Sequence, residues 1–386
     1  MEKHKNHQSR NLAETPGVER TAMSFDRIIG QAPIKDTLQK IITNGRLSKT
    51  YIFYGPEGGG KDAMAIEFAK AINCLDETRV PCDVCTNCRQ IGALTHPDLR
   101  ILYAGSKKNL EKESAGRFQI KAKDPYIPLA KNSLAKILID STRELKQFLS
   151  LKIFNVKHRV IIISEADRMT EQAANSILKL LEEPPEKTMF ILTTSQIDRL
   201  LPTIVSRCQV IKFSPLKADE IRDELIKRGT EKIQATIVSR LAGGNFRKAM
   251  ILLQEDHQAL RNMAFQAIVT GVSGDYLEQF AFIETLTSGK NKSMIRDFLS
   301  LALLWFRDVF FFHELRFGHP DWEAVLTNFD RLNDIQKLAL LLEDQDVEQA
   351  IAKTELLVDL VDKNIYINLI LIDFMTIFRN LQERVA

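Results

Sequence analysis

Residues 55–62 read GPEGGGKD, the strongest structural signal in the chain. They match the pattern G-x-x-x-x-G-K, in which glycines let backbone amides surround a phosphate and a lysine reaches the terminal phosphates. An apolar run at 51–54 precedes them, and residues 63–74 follow with apolar side chains at helical spacing. This context favours a phosphate-binding loop over a chance glycine-rich turn. The predicted phosphate-binding residues are Gly55, Gly58, Gly60 and Lys61.

The position after Lys61 departs from the pattern, because Asp62 stands where a serine or threonine would hold Mg²⁺. The partner element of such a site is an apolar strand that ends in an acid on the metal side. Residues 160–163 supply the apolar run, but Ser164 follows it, and Glu165 comes next. A carboxylate and a hydroxyl have therefore exchanged positions.

This exchange bears on nucleotide chemistry. A carboxylate roughly 4 Å from a phosphate oxygen is repelled by about 4 kcal/mol at an effective dielectric near 20. Unless a cation lies between them, Asp62 therefore costs nucleotide affinity. We expect ATP and Mg²⁺ to bind weakly or not at all, and Glu165 to support no useful hydrolysis. The alternative is that the swapped carboxylate and hydroxyl still hold Mg²⁺ and sustain a slow ATPase.

Four cysteines lie close together in the sequence, with the spacing C-x₇-C-x₂-C-x₂-C: Cys74, Cys82, Cys85 and Cys88. Four thiolates so close in a reducing compartment fit a tetrahedral structural Zn²⁺ with no open coordination position. The spacing also resembles part of a ferredoxin pattern, but the further cysteine and the proline expected there are missing. Zinc is favoured over an iron–sulfur cluster and over free thiols.

Length and composition set the broad class. At 386 residues the chain exceeds one ordinary core, so we expect two or three domains. A net charge of +3 does not indicate a nucleic-acid binder. Residues 1–22 lack the apolar core of a signal peptide and are predicted to be a disordered tail. The most apolar run, 298–312, is interrupted by charges and too short to span a bilayer. We therefore expect a soluble cytoplasmic protein without membrane contact.

The first half of the chain alternates strand-like and helical patterns. This alternation predicts an α/β fold in which helices cover both faces of a parallel sheet. Residues 104–136 lack either period and carry seven lysines against three acids. They predict a long mobile insertion, solvated in preference to contacting DNA phosphates. The strand-like runs are 51–54, 99–103, 160–163, 189–193 and 210–213.

After residue 213 the pattern is helical, with helices predicted at 217–228, 233–242 and 246–253 and a wholly helical region beyond. Two apolar stripes in that region can fill its core or form an interface, and the sequence leaves this open. One stripe comprises Leu299, Leu303, Phe306, Phe310 and Leu315, and the other Ile351, Leu356, Val358, Ile365, Leu369 and Ile372.

Two arginines are candidates for phosphate contact. Arg207, just before the last predicted strand, either pairs with a carboxylate or is a finger that reaches a neighbouring subunit's γ-phosphate. Arg247, at a predicted helix start, either faces a phosphate or is an ordinary exposed residue. Residue chemistry alone leaves both questions open.

Several longer motifs, taken together, resemble a known family. They occur in the order seen in bacterial clamp-loader subunits of the AAA+ class, which belong to DNA polymerase III. The resemblance is strong over 24–213, moderate to about 256, and rests on helical pattern beyond. Besides the phosphate-binding loop and the cysteines, the motifs are residues 24–31, GRL at 45–47, THPD at 95–98, LLEEPP at 180–185, TT at 193–194 and SRC at 206–208.

The family resemblance implies a domain organisation. Residues 23–213 would form an AAA+ domain that carries a zinc module at 74–88 and the insertion at 104–136. Residues 214–256 would form a helical lid, and 257–386 a helical collar that assembles five subunits.

The resemblance also implies roles for single residues. Arg207 would complete the ATP site of an adjacent gamma/tau subunit in trans. Thr194 and Arg247 match the two sensor positions, although they have little to sense in a site without nucleotide. Zinc at the cysteines would be structural.

The function implied is that of a stator without intrinsic ATPase, within a DNA-directed DNA polymerase III holoenzyme. Its partners would be gamma/tau and delta subunits in a hetero-pentamer, the sliding clamp and primer–template DNA. Asp62 and Ser164 favour this function over that of an ATP-hydrolysing gamma/tau-like motor, which has Thr and Asp at those positions. A stand-alone nucleic-acid-binding zinc protein is disfavoured because the cysteines lack a dense basic and aromatic surround.

Overall fold

The computed structural model describes residues 25–105, 116–130, 135–154, 156–273, 276–287, 292–315, 325–361, 363 and 365–378. The predicted tail at 1–22 and parts of the predicted insertion lie outside these residues. The chain forms two compact units, considered over their described residues. The first contains Met1–Tyr54 and Lys61–Lys212, and the second contains Gly55–Gly60 and Phe213–Ala386.

A five-stranded sheet forms the centre of the first unit, with the spatial order β2-β3-β4-β1-β5. All neighbouring strands are parallel, and Ile52 pairs in register with Leu192 on one side and Val210 on the other. The predicted parallel sheet is confirmed, and each strand end lies within one residue of its predicted position. The strands are β1 Thr50–Tyr54, β2 Leu99–Leu102, β3 Arg159–Ile163, β4 Thr188–Thr194 and β5 Gln209–Lys212.

Seven helices accompany the sheet in the described part of the first unit. Short 3₁₀ turns at Ala166–Arg168 and Ile197–Arg199 follow β3 and β4. The helices are α1 Ala32–Thr43, α2 Lys61–Ile72, α3 Thr86–Gly92, α4 at 116–123, α5 Ile139–Leu149, α6 Glu171–Glu182 and α7 Pro202–Val205.

Side chains of β1 show how the helices cover both faces of the sheet. Successive residues of a strand point to opposite faces. Tyr51 and Phe53 meet Phe68 of α2, with ring centroids 5.4 and 6.3 Å apart. Ile52 instead joins an apolar cluster that contains Ile177 of α6. Because both faces are buried, the strand is apolar after Thr50, as expected for a parallel sheet.

The second unit is helical over its described residues from 213 onward, as predicted. A cluster of aromatic rings from α13, α16 and the turn after α16 fills part of its core, with Phe298 and Phe374 5.6 Å apart and Phe374 and Phe378 5.8 Å apart. Short 3₁₀ turns occur at Phe329–Arg331 and Thr376–Phe378. The helices are α8 Ala218–Lys227, α9 Lys232–Leu241, α10 Phe246–Leu252, α11 Glu255–Ser273, α12 Tyr276–Thr287, α13 Lys292–Glu314, α14 Leu332–Leu341, α15 Asp344–Val361 and α16 Ile367–Met375.

The prediction that residues 104–136 lack regular structure is wrong for residues 116–123. Residues 116–123 form α4, and the Lys121 side chain is buried. Leu129 is also buried, and its carbonyl accepts a hydrogen bond of 3.2 Å from Arg117 Nη1. The apolar periodicity failed here because the residue that α4 buries is charged, and a lysine counts as solvated in such a pattern.

Among the described residues, every helix is either too short or too polar to cross a lipid bilayer.

Candidate functional site

Asp62 lies in the first turn of α2, and both of its carboxylate oxygens are bonded within the protein. Oδ2 accepts hydrogen bonds from Ser164 Oγ at 2.6 Å and from Lys121 Nζ at 3.0 Å. Oδ1 accepts one from Thr193 Oγ1 at 2.6 Å. Ser164 directly follows β3 and Thr193 lies near the end of β4, so the carboxyl ends of two adjacent strands converge on this acid.

The electrostatics of Asp62 depend on Lys121. Burial alone would raise the pKa of Asp62, but the attraction of the Lys121 ammonium and the three hydrogen bonds lower it to about 2. The predicted repulsion between Asp62 and a phosphate presumed that no cation lay nearby. The structure places one at 3.0 Å, so the carboxylate and the ammonium form a neutral pair.

Mg²⁺ does not fit the residues at this position. The ion requires a near-octahedral shell of oxygens at about 2.0–2.1 Å. Both Asp62 oxygens already accept hydrogen bonds, and the Ser164 hydroxyl is committed to Oδ2 as a donor. An ammonium so close opposes a second cation, since like unit charges about 4 Å apart repel by about 4 kcal/mol at an effective dielectric near 20. The donor set therefore offers no step through a metal at Asp62.

Glu165 is predicted to retain a water-facing carboxylate, but in the structure this carboxylate pairs with Arg168. Its backbone is left-handed, with φ +53°, which is uncommon outside glycine. Its Oε2 lies 3.3 Å from the Arg168 guanidinium, one turn further along the chain. The backbone N–H of Glu165 donates to Thr193 Oγ1 at 3.2 Å. The residue is thus held by contacts that join β3 to β4.

Thr194, the predicted sensor residue, is buried and contacts Asp167, not Asp62. Its hydroxyl donates to Asp167 Oδ1 at 2.5 Å and accepts from the backbone N–H of Gln196 at 3.0 Å. Because neighbouring strand residues point to opposite sides, Thr193 is the member of this pair that reaches Asp62.

The glycines of 55–60 fit a backbone path that other residues adopt poorly. Gly55 has φ +151°, and a Cβ there would lie 2.4 Å from the carbonyl oxygen of Phe213. Gly60 has φ +87°. Lys61 comes next as the first residue of α2 and is half-buried.

Gly58 brings the loop into contact with the start of α10. A Cβ on Gly58 would lie 1.9 Å from Oδ1 of Asn245, the residue that caps α10. The N–H of Phe246 donates to the Gly58 carbonyl at 3.4 Å. Arg247, the second predicted sensor, is the next residue of α10 and is half-buried. At this glycine the loop therefore packs against a helix of its own unit.

The four predicted cysteine ligands come together as a compact group. All four sulfur atoms lie within 4.8 Å of one another, and Cys82 and Cys88 are 4.0 Å apart. A tetrahedral site with Zn–S bonds of about 2.3 Å separates its sulfurs by about 3.8 Å. Three of the four are buried, and Cys85 is half-buried. The cluster could therefore hold a metal ion.

Thiol acidity in the cluster is uneven. Burial raises the pKa of Cys74 and of Cys88. Burial also works against ionisation of Cys85, but hydrogen bonds from the backbone of Leu75 and Cys88 lower its pKa to about 7. Metal ligation requires thiolates, so the lowered pKa of Cys85 favours ligation by this thiol.

Buried charges connect the cysteine cluster to α2. Lys70 of α2 is 1% exposed. Its Nζ donates to both Glu67 oxygens, at 2.9 and 2.7 Å, and also pairs with Asp83, which lies between two of the cysteines. Burial raises the pKa of Glu67. The helix that follows the glycine-rich loop and the cysteine cluster therefore share one ionic network.

Arg207 follows α7, with its side chain about one-third exposed. Nη1 donates to the Thr203 carbonyl at 2.8 Å, and Nη2 lies 3.3 Å from Glu182 Oε2. Its Nε is buried and has no hydrogen-bond partner among the described residues. The guanidinium therefore pairs with a carboxylate of its own chain, which is one of the two alternatives that the sequence leaves open, and its side chain stays partly exposed.

Three residues of this region were not predicted as site residues: Lys121, Thr193 and Asn245. The sequence carries a signal for Thr193 only, because TT at 193–194 is one of the family motifs, but the sequence does not show which of the two threonines contacts Asp62. Lys121 looked like one of many solvated lysines, and Asn245 carried only the signature of a helix cap.

Comparisons with known proteins place the chain among replication proteins. A family model described as "DNA polymerase III, delta subunit" matches residues 30–217. The DNA polymerase III subunit delta′ of Bacillus subtilis is 30% identical over 323 residues, 83% of this chain and 88% of that protein.

A second relative and a solved structure are also similar. The DNA polymerase III subunit tau of B. subtilis is 30% identical over 241 residues, 60% of this chain but 37% of that protein. The crystal structure of a DNA polymerase III gamma-subunit-related protein from Thermotoga maritima aligns with 90% of this chain and 99% of its own, with a TM-score of 0.42 and 17% identity.

Proposed function

The chain belongs to the clamp-loader subunit family of DNA polymerase III, and from this premise we propose that it is the delta-prime-type subunit, a stator that turns over no nucleotide itself. In that role it supports ATP-driven neighbours while they load a sliding clamp on primed DNA. The observation that carries the proposal is the state of Asp62, whose two oxygens are bonded to Ser164, Thr193 and Lys121.

Arg207 is the residue by which this subunit acts on a neighbour. Its Glu182 contact is a surface ion pair, 3.3 Å long and worth at most about 1 kcal/mol. Such a pair is easily exchanged for a phosphate, which also accepts two parallel hydrogen bonds from a guanidinium. Arg207 then completes the ATP site of an adjacent gamma/tau subunit in trans.

The cysteine cluster holds a structural Zn²⁺ through Cys74, Cys82, Cys85 and Cys88. The compact sulfur geometry supports this, and four protein ligands leave no open position for catalysis. When bound, the ion fixes the loop between α2 and α3.

The proposed partners are gamma/tau and delta subunits, which together with this chain make up a hetero-pentamer. In the second unit, the stripe that contains Leu356, Leu369 and Ile372 has these three side chains exposed. The other stripe is largely internal, since Leu299 and Phe306 are fully buried. The exposed stripe is therefore the face offered to neighbouring collars. The domain bounds 23–213, 214–256 and 257–386 are part of the same proposal.

The competing function is that of a gamma/tau-like motor with altered metal ligands. Its support is the similarity to tau over 60% of this chain, together with an intact lysine at Lys61. It requires Asp62 to exchange its internal bonds for a metal, which the neutral pair with Lys121 disfavours.

The deciding experiment is reconstitution of the loader with gamma/tau and delta subunits and either wild-type chain or Arg207→Ala. An arginine finger contributes about 10³ to 10⁵ in rate at the site that it completes. Arg207→Ala should therefore silence one site and lower the DNA-stimulated ATPase of the loader, without changing its assembly. Arg222→Ala is the matched control, because the side chains of Arg222 and Arg207 are both 32% exposed and paired with acids.

Unchanged ATPase in the Arg207→Ala loader would remove this residue from the mechanism. ATP turnover by the isolated wild-type chain, lost in Lys61→Ala, would support the motor instead.

A further inference from the structure

Lys121 is a buried charge whose donors are all used. Its side chain is 2% exposed. Nζ donates to Asp62 Oδ2 at 3.0 Å, to the Pro125 carbonyl at 3.1 Å and to the Ile127 carbonyl at 2.9 Å. An ammonium has three N–H donors, so these three oxygens complete its hydrogen bonding. A cation surrounded by a carboxylate and two backbone carbonyls has oxygen partners of the kind that a hard metal ion takes.

We propose that Lys121 is a resident cation in place of a divalent metal at the start of α2, so that the bonds from Asp62 to β3 and β4 are complete without metal or nucleotide. The sequence pattern places a Mg²⁺-holding residue at position 62. In this chain that position is an acid, and segment 116–130 delivers its counter-ion. The ammonium is covalently tethered and cannot diffuse away.

The remaining contacts of segment 116–130 indicate that Lys121 is held firmly in place. The hydroxyl of Tyr126 accepts a hydrogen bond of 2.7 Å from the backbone N–H of Ile29. Arg27 Nη2 donates to the Ala122 carbonyl at 2.9 Å. The segment therefore joins two places in the first unit, the chain before α1 and the start of α2. It reaches the ends of β3 and β4 only through Asp62.

One consequence concerns coupling. In a metal-dependent site, the arrangement around the start of this helix changes when metal and phosphate leave. Here a side chain of the same protein makes the equivalent contact permanently, so this part of the first unit keeps one arrangement through every cycle of a neighbour. This consequence deepens the proposed stator function and rests on it, whereas the assignment of Lys121 as the counter-ion does not.

The test is a double-mutant comparison on the full-length chain, with the urea midpoint measured in EDTA and in excess MgCl₂. Lys121→Met leaves the partly buried Asp62 carboxylate without a counter-ion. The double variant Lys121→Met with Asp62→Asn is neutral. We expect the midpoint of the single Lys121→Met variant to fall well below that of the double variant. Lys123→Met is the control, because Lys123 is an exposed lysine of the same helix. Its midpoint should stay at the wild-type value.

The Mg²⁺ arm tests replacement of the metal directly. EDTA also removes a zinc ion held by the cysteine cluster, in wild type and Asp62→Asn alike. Between EDTA and MgCl₂ the wild-type midpoint should therefore shift only as much as that of Asp62→Asn. A stabilisation by Mg²⁺ that Asp62→Asn lacks would show that a metal binds at Asp62 and would overturn the proposal. Equal midpoints for Lys121→Met and the double variant would overturn it too.

Two further outcomes are informative. If Lys121→Met is insoluble but the double variant folds, the counter-ion role is supported. If neither folds, the Mg²⁺ comparison between wild type and Asp62→Asn decides alone. These measurements use no partner subunit, so their failure is distinct from failure of the Arg207 experiment.

Discussion

Asp62 shows how one acid can change what a phosphate-binding loop does. A carboxylate at this place, unpaired, would repel phosphate and carry a large desolvation cost. With two hydroxyls and an ammonium on its oxygens it becomes a junction between α2, β3, β4 and α4. Asp62 therefore stabilises the contacts between these elements, at the position where the sequence pattern predicts a metal ligand.

The acid dependence of stability should reveal this junction. The pKa of Asp62 is lowered from 3.8 to about 2, so its stabilisation is present above about pH 4 and is lost as the pH falls through 2. A shift of that size corresponds to about 2 kcal/mol. The difference in unfolding free energy between wild type and Asp62→Asn should therefore shrink by about 2 kcal/mol over that range, measured by urea denaturation at a series of pH values.

A second variant sharpens this pH prediction. Ser164→Ala removes one hydrogen bond that lowers the Asp62 pKa in the folded state. The loss still begins near the unfolded-state pKa, but it should be smaller than in wild type and complete at a higher pH. A wild-type minus Asp62→Asn difference that stays constant from pH 4 to pH 2 would contradict the assignment of Asp62 as an ionised, paired acid.

At the scale of elements, a buried ion pair joins the start of β2 to the start of β3: Asp98, the last residue of the motif THPD, pairs with Arg159 of β3. Asp98 Oδ1 accepts from Arg159 Nε and Nη2, each at 3.2 Å, and both side chains are 3% exposed or less. Asp98 Oδ2 accepts from the N–H of Phe154 at 2.8 Å, and the Arg159 guanidinium lies 4.8 Å from the ring centre of Phe148. The motif therefore positions the strand entrances and the segment after α5.

Breaking this pair should be costly. Asp98→Asn leaves the Arg159 charge buried without its partner, and such a loss typically costs about 3–5 kcal/mol. The urea midpoint of this variant should fall accordingly. Arg100→Met changes an exposed arginine of β2, and its urea midpoint should fall far less. A midpoint for Asp98→Asn equal to that of Arg100→Met would show that the pair contributes little.

The loop between α2 and α3 should depend on its metal. Elemental analysis of purified protein is expected to give one zinc per chain, and a strong chelator should lower the melting temperature because binding energy here is folding energy. Cys85→Ser should lose the metal. Cys208→Ser should keep it, since the fifth cysteine lies outside the cluster. Equal metal content in the two variants, or iron in place of zinc, would contradict the structural zinc site.

The sequence patterns predict the positions of strands and helices well, but they do not predict the tertiary contacts between side chains. Five strands and the helices after residue 213 were located because apolar periodicity reports local burial. Helix α4 was missed because its inward residue is Lys121. The member of the threonine pair that faces Asp62 was missed because the register of β4 against its neighbours fixes that choice.

At the scale of the whole molecule, the relevant feature is the exposed apolar surface on α12 and α16 of the second unit. Tyr276, Phe280 and Ile372 line a cavity of about 380 Å³ on this surface. Phe280 is 68% exposed and Leu369 57%. Large apolar side chains grouped on a surface mark interaction sites in soluble proteins. In a hetero-pentamer, neighbouring collars are the partners that would cover them.

Assembly should therefore depend on Phe280. Phe280→Ser should leave the isolated chain folded, because an exposed substitution usually changes stability by no more than about 0.5 kcal/mol. It should weaken association with gamma/tau and delta by about tenfold or more, the loss expected for an aromatic anchor at an interface. Native mass spectrometry across a concentration series measures this.

Ile226→Ser serves as the comparison for Phe280→Ser, because Ile226 is a partly exposed apolar residue of α8 outside this surface. Equal assembly of the two variants with the partner subunits would exclude the α12–α16 surface as the collar interface.

The sequence by itself determined the alternation of strands and helices, the glycine-rich loop, the grouping of the cysteines and the acid at position 62. These are properties of neighbouring residues, and short-range chemistry dictates them. Only the tertiary structure decided that Lys121 neutralises Asp62, that Asn245 contacts Gly58 and which apolar stripe is exposed. All three depend on residues that are far apart in the chain. Periodicity in a sequence indicates that a side chain is buried, but it does not show which distant group that side chain contacts.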